Sequence, residues 1–506
     1  MVEVENGGKP VPLSSIPTLT YEQFFDSITE LVEGSDAHCV SYFAYPVGSM
    51  LTFFCVMAVD NDYKLYILSH QMEQSSLSAI PSLTAKYRAF HCFERELHEN
   101  FGVRFTDHPW LKPLRYAENR YSKASAIENY PFYSIKSDEL HEVGVGPIHA
   151  GVIEPGHFRF ICNGEKVLHL EIMLGYQHRG VERAMVEKPS LLQKAIVADS
   201  IAGDTAVGHS LAFTMCCESL AGILPSQQLQ LERTIALELE RIAIHIGDTG
   251  ALCMDIAYQL GQVACEALRT IVINTTQLWC GNRFGKSFIR PVGTHYPLTS
   301  KLADDIEKNL DDVEYRYHQL VERMYSLPSI LSRFEEIGTL TTRQAAMIGT
   351  VGMAARSSGV VRDIRYSHPF QYFKQVDFKP VVLNDGDILS RAQLRSYEVE
   401  QSVRLVKQLL STYKRAGNSV EQVSQPPTYS LQMQPDSLSV SLVEGWRGEI
   451  CHVAATDKEG KLVCYKVKDP SLHNWLGLAL AVRNQEISDF PICNKSFNLS
   501  YCGHDL

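Results

Sequence analysis

The chain has 506 residues, of which 45% are hydrophobic and 21% are charged, and its formal net charge is -11. This length predicts two or more domains, and the negative charge argues against a nucleic-acid partner, because phosphate binding needs clustered Lys and Arg. No uninterrupted apolar run reaches the roughly 20 residues that span a bilayer, and the N-terminal stretch MVEVENGGKP is too acidic for a signal peptide, which predicts a cytoplasmic protein.

The first predicted domain, residues 1–115, mixes helices and strands. Residues 21–33 have the spacing of an amphipathic helix, and residues 85–101 are predicted to form a second helix. Three segments rich in β-branched and aromatic residues are predicted strands: 41–45, 51–60 and 63–68. The polar, irregular residues 116–145 are predicted to be a linker.

The second predicted domain, residues 146–506, is mainly helical. In residues 229–246, apolar side chains recur at helical spacing and predict one buried face. Further predicted elements are helices at 259–278, 304–325 and 394–413, a solvated Pro- and Gln-rich loop at 418–437, strands within 439–468 and a short helix from about Ser471. The predicted fold class is therefore α+β, with a small mixed domain joined to a large helical domain that carries peripheral strands.

The 13 cysteines are scattered, and no two are spaced as C-x-x-C, the arrangement that gives a metal two ligands from one loop. In a reducing compartment such cysteines are mostly small buried hydrophobic residues. The vicinal pair Cys216 and Cys217 lies in a helical stretch, and we expect it to pack in the core, since vicinal cysteines rarely close a strain-free disulfide.

Two segments carry a specific resemblance. The composition of residues 93–114, FERELHENFGVRFTDHPWLKPL, predicts a charged amphipathic helix followed by a turn. Their E-R-E helix, F-G and D-H-P turn resemble the signature of the C-type subunit of respiratory complex I, which docks against the catalytic subunit. The matching residues are Glu94, Arg95, Glu96, Phe101, Gly102, Phe105, His108 and Pro109.

Residues 146–183 form a Gly- and Pro-punctuated hairpin with histidines near its turns. Each histidine alone is most simply a hydrogen-bonded turn residue. The whole string, G-P-x-H followed by G-Y-x-H-R-G-x-E, resembles the start of the D-type catalytic subunit of complex I and of energy-converting NiFe-hydrogenase large subunits. Later blocks that match are 238–245, 281–293, 359–365, 386–402 and 444–450. The fusion of the C-like and D-like parts in one chain is similar to the formate-hydrogenlyase type.

In NiFe-hydrogenases, four thiolates in two C-x-x-C pairs hold the metals. The string SIAGDTAVGHS retains His209, which follows the first pair in that family. The four thiolate positions correspond here to Ala202, Thr205, Leu499 and Cys502. One thiol and a weak hydroxyl donor cannot retain this soft-metal centre. We therefore expect no metal in this chain and no hydrogen chemistry.

Complex I lacks the same cysteines and uses the emptied cavity for quinone, so the resemblance implies quinone as an optional ligand. His149 or His157 could hydrogen-bond the head group, as an imidazole can donate and relay a proton. The family's Tyr in the segment T-Y-L-Q is replaced by Leu191. The lost phenol donor weakens this interpretation, because an unpaired buried carbonyl costs about 1–3 kcal/mol.

Several acids and bases are expected around the presumed cavity. Each alone is most simply a helix cap or salt-bridge partner, whereas together they could form a proton relay. The predicted relay is Glu171, Asp204, Glu238, Glu240 and His245, with Asp199 nearby. The resemblance implies His149, His178, Arg179 and His209 as candidate catalytic residues.

The resemblance implies the large subunit of a cysteine-lacking, hydrogenase-related complex, attached through partners to the inner face of the cell membrane. The implied partners are an iron–sulfur small subunit, which would hold the cluster, a ferredoxin-like subunit and antiporter-like membrane subunits. Redox chemistry would be coupled to ion movement. Two alternatives stay open: a non-catalytic scaffold subunit, and an active membrane-bound hydrogenase. No G-x-G-x-x-G loop is present, so NADH need not be the donor.

Overall fold

The computed structural model of the chain describes residues 1–35, 37–150, 153–416 and 425–506. Part of the predicted loop at 418–437 thus lies outside the described residues, and its described part up to residue 436 carries no helix or strand.

The N-terminal region is a sheet covered by helices. Its strands are β1 (Val2–Val4), β2 (Val11–Pro12), β3 (Thr18–Leu19), β4 (His38–Val47), β5 (Met50–Val59), β6 (Lys64–Glu73), β7 (Ile80–Pro81) and β8 (Phe105–Thr106), and its helices are α1 (Tyr21–Ser35), α2 (Leu83–Lys86) and α3 (His91–Phe101). The sheet order is β1-β6-β5-β4, with β3 parallel to β6. Almost all of β5 is buried, because apolar residues follow one another along it and both faces of the sheet are covered.

The single helix predicted at residues 85–101 is wrong, because the chain forms α2, a 3-10 turn at Arg88–Phe90 and then α3. The carboxylate of Glu94 on α3 accepts hydrogen bonds from the Ser82 hydroxyl (2.5 Å) and from the Leu83 amide (2.7 Å). These bonds fold the start of α2 back onto α3, with Tyr87 extended between them, so one continuous helix is impossible.

The remaining strands and helices follow the α3 helix. The strands are β9 (His141–Val145), β10 (His157–Asn163), β11 (Lys166–Met173), β12 (Ser437–Glu444), β13 (Glu449–Thr456) and β14 (Leu462–Lys468). The helices are α4 (Val181–Glu187), α5 (Leu191–Ala198), α6 (Ala206–Ala221), α7 (Gln227–Asp255), α8 (Gln259–Cys280), α9 (Ser300–Tyr325), α10 (Pro328–Phe334), α11 (Thr342–Ile348), α12 (Gly352–Arg356), α13 (Ile364–Ser367), α14 (Ile388–Ala416), α15 (Ser471–Ala481), α16 (Phe490–Phe497) and α17 (Tyr501–Asp505).

Four long helices form the centre of this region. α7 packs against α8 and α14, and α9 packs against the same two helices. The apolar face predicted along α7 is buried, with Leu239, Ile242 and Ile246 fully inaccessible. A sheet of order β14-β13-β12-β2 covers α6. The predicted fold class, α+β with a larger helical part, is confirmed.

Two segments differ from the predicted division of the chain. β9 pairs with β10, so the end of the predicted linker belongs to a three-stranded sheet. β2 pairs with β12 across more than four hundred residues of sequence, so the N-terminus completes the C-terminal sheet. One hydrophobic core also joins both regions, since Phe43 and Val56 cluster with α6 and β12 residues.

A buried charged cluster fixes the N-terminal region to β13. Glu449 lies 2.7 Å from His38 Nε2 and is bonded to Lys468. Burial favours the neutral acid, but Lys468 and His38 hold the pKa of Glu449 well below its usual value. Asp60, next to His38, is bonded to Arg362 at 3.0 Å.

No helix among the described residues is both long enough and apolar enough to span a bilayer. All 13 cysteines are free thiols, and Cys216 and Cys217 pack in the core.

We predict that Glu449→Ala lowers the free energy of unfolding by about 3–5 kcal/mol at neutral pH, because Lys468 keeps its buried charge without a partner. Urea denaturation followed by circular dichroism measures the change. Glu459→Ala is the matched control: Glu459 is exposed at the turn between β13 and β14, and its loss should change stability by no more than about 0.5 kcal/mol. Equal effects of the two variants would contradict the assignment.

Candidate functional site

The two segments that correspond to the thiolate positions meet at Arg447. Its guanidinium donates to both carboxylate oxygens of Asp204 at 2.7 Å, to the Thr205 hydroxyl at 3.2 Å and to the Asn498 carbonyl at 2.6 Å. Arg447 lies in the tight turn between β12 and β13, and Asp204 lies in the turn that precedes α6. A bidentate guanidinium–carboxylate pair is a strong, geometrically specific contact, so Arg447 defines the centre of this site.

Arg179 makes a second connection between the same segments. Its guanidinium donates to the carbonyls of Ser200 (2.6 Å), Ile201 (2.8 Å) and Cys502 (3.0 Å). The neighbouring His178 Nδ1 lies 2.7 Å from the Asp505 carbonyl. Both predicted residues therefore fix the C-terminal residues against the turn before α6.

His209 lies on the buried first half of α6. Its ring nitrogens are 3.1 Å from His452 Nε2 and 3.1 Å from the Asp469 carboxylate. Burial lowers the pKa of His452 well below its usual value, and the neighbouring His209 adds to this lowering. His209 thus lies between a second imidazole and the buried carboxylate of Asp469.

The other two predicted histidines lie at the connection between β9 and β10. His149 Nε2 is 2.8 Å from the Gly156 carbonyl, and His157 Nδ1 is 3.1 Å from the Gly146 carbonyl. The ring centroids of His157 and Phe132 are 4.9 Å apart. The Nε2 atom of His157 is buried without a partner among the described residues. Burial lowers the pKa of His157, which favours the neutral imidazole.

Glu240 connects α7 to the turn that carries Asp204. Its carboxyl accepts the amides of Val207 (2.8 Å) and Gly208 (3.2 Å) at the start of α6, where helical amides otherwise lack partners. A cavity of about 20 Å³ is lined by Glu240 and Asp204, enough for about one water. Burial raises the pKa of Glu240 to about 8, so this residue can hold a proton next to the site.

Glu238 and His245 belong to a deeper set of charges. Glu238 is bonded to Arg241 at 3.2 Å and to Arg365 at 3.3 Å, and His245 Nε2 lies 2.7 Å from Glu398. We call this set, which is buried between α7, α12, α13, α14 and β12, the arginine–glutamate network; it comprises Glu238, Arg241, His245, Arg356, Asp363, Arg365, Glu398 and Glu444.

Three predicted residues lie away from these groups. Glu171 on β11 is bonded to Lys112 at 2.6 Å and to the Tyr133 amide at 2.7 Å. Leu191 is the first residue of α5 and packs in an apolar cluster with Met185 and Phe213. Asp199 forms a buried pair with Arg290 at 2.6 Å. The structure therefore does not bring Glu171 and Leu191 into contact with Arg447 or with the hairpin histidines.

The side chains at the four positions that correspond to the thiolates do not fit a NiFe centre. Ala202 has no donor, Leu499 packs in the core, and the Thr205 hydroxyl is bonded to Asp204 at 3.0 Å. Burial raises the pKa of the Cys502 thiol, which disfavours the thiolate that metals require. Among the described residues, no group of three or more His, Cys, Asp or Glu side chains is arranged to hold a metal.

Sequence reasoning missed Arg447, Asp469 and His452, although Arg447 lies within the matching block 444–450. Its pairing with Asp204 follows only from the fold. A signal was available: an arginine in a short Gly-flanked turn between two apolar strands is expected to find a carboxylate when buried.

Comparisons with known proteins identify two matching families. The family described as respiratory-chain NADH dehydrogenase, 49 Kd subunit, matches residues 255–505, and the corresponding 30 Kd subunit family matches residues 22–131. The chain is 27% identical to the carbon monoxide-induced hydrogenase of Rhodospirillum rubrum, over 71% of this chain and 97% of that protein. It is 25% identical to formate hydrogenlyase subunit 5 of Escherichia coli, over 88% of this chain and 80% of that protein.

Two further comparisons extend this result. The C/D subunit of the NADH-quinone oxidoreductase of Phocaeicola vulgatus is 24% identical over 73% of this chain and 76% of that protein. A chain in the structure of the membrane-bound sulfane sulfur reductase, an archaeal respiratory membrane complex, superposes with a TM-score of 0.66 at 20% identity, over 74% of this chain and all of that chain. This last likeness concerns the fold alone.

The order of the two family regions along one polypeptide defines the class, a 30 kDa-type region fused to a 49 kDa-type region of respiratory-chain NADH dehydrogenase. The chain belongs to this fused family, and its homologues include both NADH-quinone oxidoreductase C/D subunits and membrane-bound hydrogenase subunits. The resemblance stated from the sequence motifs is confirmed.

We predict that Glu240→Gln becomes increasingly stabilising relative to the unchanged chain as the pH rises from about 4.5 to about 8. In this window the folded chain keeps the Glu240 proton that the unfolded chain releases, so the stability contributed by Glu240 falls with rising pH. Gln keeps the acceptor oxygen but cannot ionise. Urea unfolding at several pH values measures the difference, and Glu266→Gln, on the exposed face of α8, should show none.

Proposed function

We propose that this chain is the large subunit of a membrane-associated respiratory complex related to complex I and to membrane-bound hydrogenases. In this role it couples a redox reaction to ion translocation without a NiFe centre of its own. The single observation that carries the proposal is the position of Arg447, whose guanidinium bridges Asp204 and Asn498 and donates to Thr205, at one of the four thiolate positions.

The names of the related proteins support the proposed assembly into a membrane complex. They include a membrane-bound hydrogenase subunit alpha of Pyrococcus furiosus and hydrogenase-4 component G of Escherichia coli. We propose attachment to the inner face of the membrane through antiporter-like subunits, with an iron–sulfur small subunit and a ferredoxin-like subunit supplying electrons. The chain itself would contribute proton-holding groups, of which Glu240 and the His209–His452 pair have supporting contacts.

Quinone reduction is the more specific form of this proposal. The observation in its favour is the buried Nε2 of His157, which lies beside the ring of Phe132 and has no partner in the described part of the chain. A quinone head group needs one polar partner and a flat apolar neighbour. His149, on the other side of the hairpin, is already bonded to Gly156. Leu191 supplies no polar contact to such a ligand.

A scaffold role is the competing proposal. The arginine–glutamate network favours it, because so many buried charges fix the relative positions of α7, α12 and α14. A scaffold predicts that His209→Ala leaves electron transfer through the complex unchanged, whereas a proton-coupling role predicts a loss.

We predict that the purified chain contains no stoichiometric nickel, because three of the four thiolate positions lack sulfur. Plasma mass spectrometry of the full chain and of the intact complex measures the metal content. One nickel per chain in either sample would overturn the proposal and favour an active hydrogenase.

We predict that His149→Ala and His157→Ala each weaken the binding of a quinone analogue to the intact complex, with the larger effect at His157. Loss of one hydrogen bond to the head group corresponds to roughly a three- to tenfold rise in Kd. His141→Ala, an exposed histidine on β9, is the control and should leave Kd unchanged. Absence of measurable binding to the unaltered complex would remove the quinone form of the proposal.

A further inference from the structure

The turn between β12 and β13 is attached to the arginine–glutamate network at its first residue. The carboxylate of Glu444 accepts a hydrogen bond from Arg356 at 2.7 Å and from the Ile364 amide at 3.1 Å. Arg241 donates to the main-chain carbonyls of Glu444 (2.7 Å) and Gly445 (3.1 Å). The start of the turn is thus held by both side-chain and main-chain contacts.

The middle of the same turn reaches the candidate site. Trp446 Nε1 donates to the Asp204 carbonyl at 2.9 Å, and the Arg447 guanidinium stacks 3.9 Å from the Trp446 ring centroid. The edge of Trp446 also faces His245, with the ring centroids 6.1 Å apart. Only two residues separate Glu444 from Arg447, so a shift of one is transmitted to the other through a short piece of backbone.

The network carries more negative than positive groups. Four carboxylates face three guanidiniums, and each of these side chains is at most 1% exposed. Burying an unbalanced charge is unfavourable, so one site in such a set is expected to bind a proton.

Glu444 is the network carboxylate best placed to bind this proton. Burial and the neighbouring Asp363 raise the pKa of Glu444 to about 7, while Arg356 and Arg365 oppose the shift. Burial alone would also raise the pKa of Glu398, but Arg356 and the bond from His245 bring it well below its usual value. Burial lowers the pKa of His245.

The charged and titratable groups that face Glu444 come from six elements. They are Arg356 of α12, Asp363 and Arg365 at α13, Glu398 of α14, Glu238, Arg241 and His245 of α7, and Glu449 with Lys468 at the other end of the turn and on β14. Glu449 is already neutralised by Lys468 and His38, so its charge does not compete for the proton.

We propose that Glu444 is a protonatable positioning residue: uptake of one proton weakens its bond to Arg356, and the turn between β12 and β13 then moves Arg447 relative to Asp204 and Asn498. The link to redox coupling rests on the proposed function. The movement itself rests only on the contacts above, and its test does not use activity.

Trp446 provides a reporter in the full-length chain. The chain contains four tryptophans, so 5-fluorotryptophan labelling gives four fluorine resonances, and Trp446→Phe assigns one of them. We expect the Trp446 resonance to titrate between about pH 6 and pH 8, around the pKa of about 7, with the profile of a single proton. A resonance that does not move over this range in the folded chain would overturn the proposal.

Glu444→Gln imitates the protonated acid, so we expect its Trp446 resonance to stay at the low-pH position at every pH. Glu218→Gln is the matched control, because Glu218 is equally buried and paired with Arg233 at 2.7 Å, away from the turn. This control should titrate as the unchanged chain does. An unchanged titration in Glu444→Gln would overturn the assignment to Glu444.

Glu444→Asp is the second variant, and it tests the proposal if Glu444→Gln does not fold. A shorter carboxylate at the same place should still titrate, but with a displaced midpoint, and an identical midpoint would contradict the proposal. The nickel measurement is independent of these results. The proposal about Glu444 can therefore be wrong while the proposed function is right. The proposed function can likewise be wrong while the proposal about Glu444 is right.

Discussion

The bonds from Arg447 to Asp204 and to the Asn498 carbonyl join parts of the chain that lie almost three hundred residues apart. A buried guanidinium has five donors and cannot release its proton, so it fixes whatever acceptors surround it. Arg179 repeats this arrangement with three carbonyl oxygens. Two arginines and one carboxylate thus join the turn before α6 to the C-terminal residues of the chain.

The same turn links three parts of the molecule that are distant in sequence. Glu444, the last residue of β12 before the turn, belongs to the arginine–glutamate network. Glu449, the first residue of β13 after the turn, is paired with His38 of the N-terminal region. Between them, Trp446 and Arg447 contact Asp204. The short turn is held at both ends and therefore connects the arginine–glutamate network and the N-terminal region to Asp204.

The helical region and both family segments could be predicted from sequence, whereas the contacts that build the site could not. Periodicity identified α7 because its apolar face repeats every three to four residues. The role of Arg447 depends on Asp204, which no local pattern relates to it. The pairing of β2 with β12 and the bend between α2 and α3 likewise follow from tertiary contacts, the second from the Glu94 carboxylate. Composition also cannot tell the buried Arg356 and Arg365 from solvated arginines.

Stability alone does not account for the arginine–glutamate network. Removing several ions from water costs several kcal/mol each, and apolar side chains of similar volume often hold helices at least as tightly. Charges do what apolar groups cannot, since they respond to a proton and to the field of neighbouring groups. Arg365 also lies 4.3 Å from the Phe378 ring and bonds to both Asp363 and Glu238, so its place is fixed from three sides. With the guanidiniums held in this way, a change in the number of bound protons must be absorbed by the carboxylates, and Glu444 is the one whose backbone continues directly to Arg447.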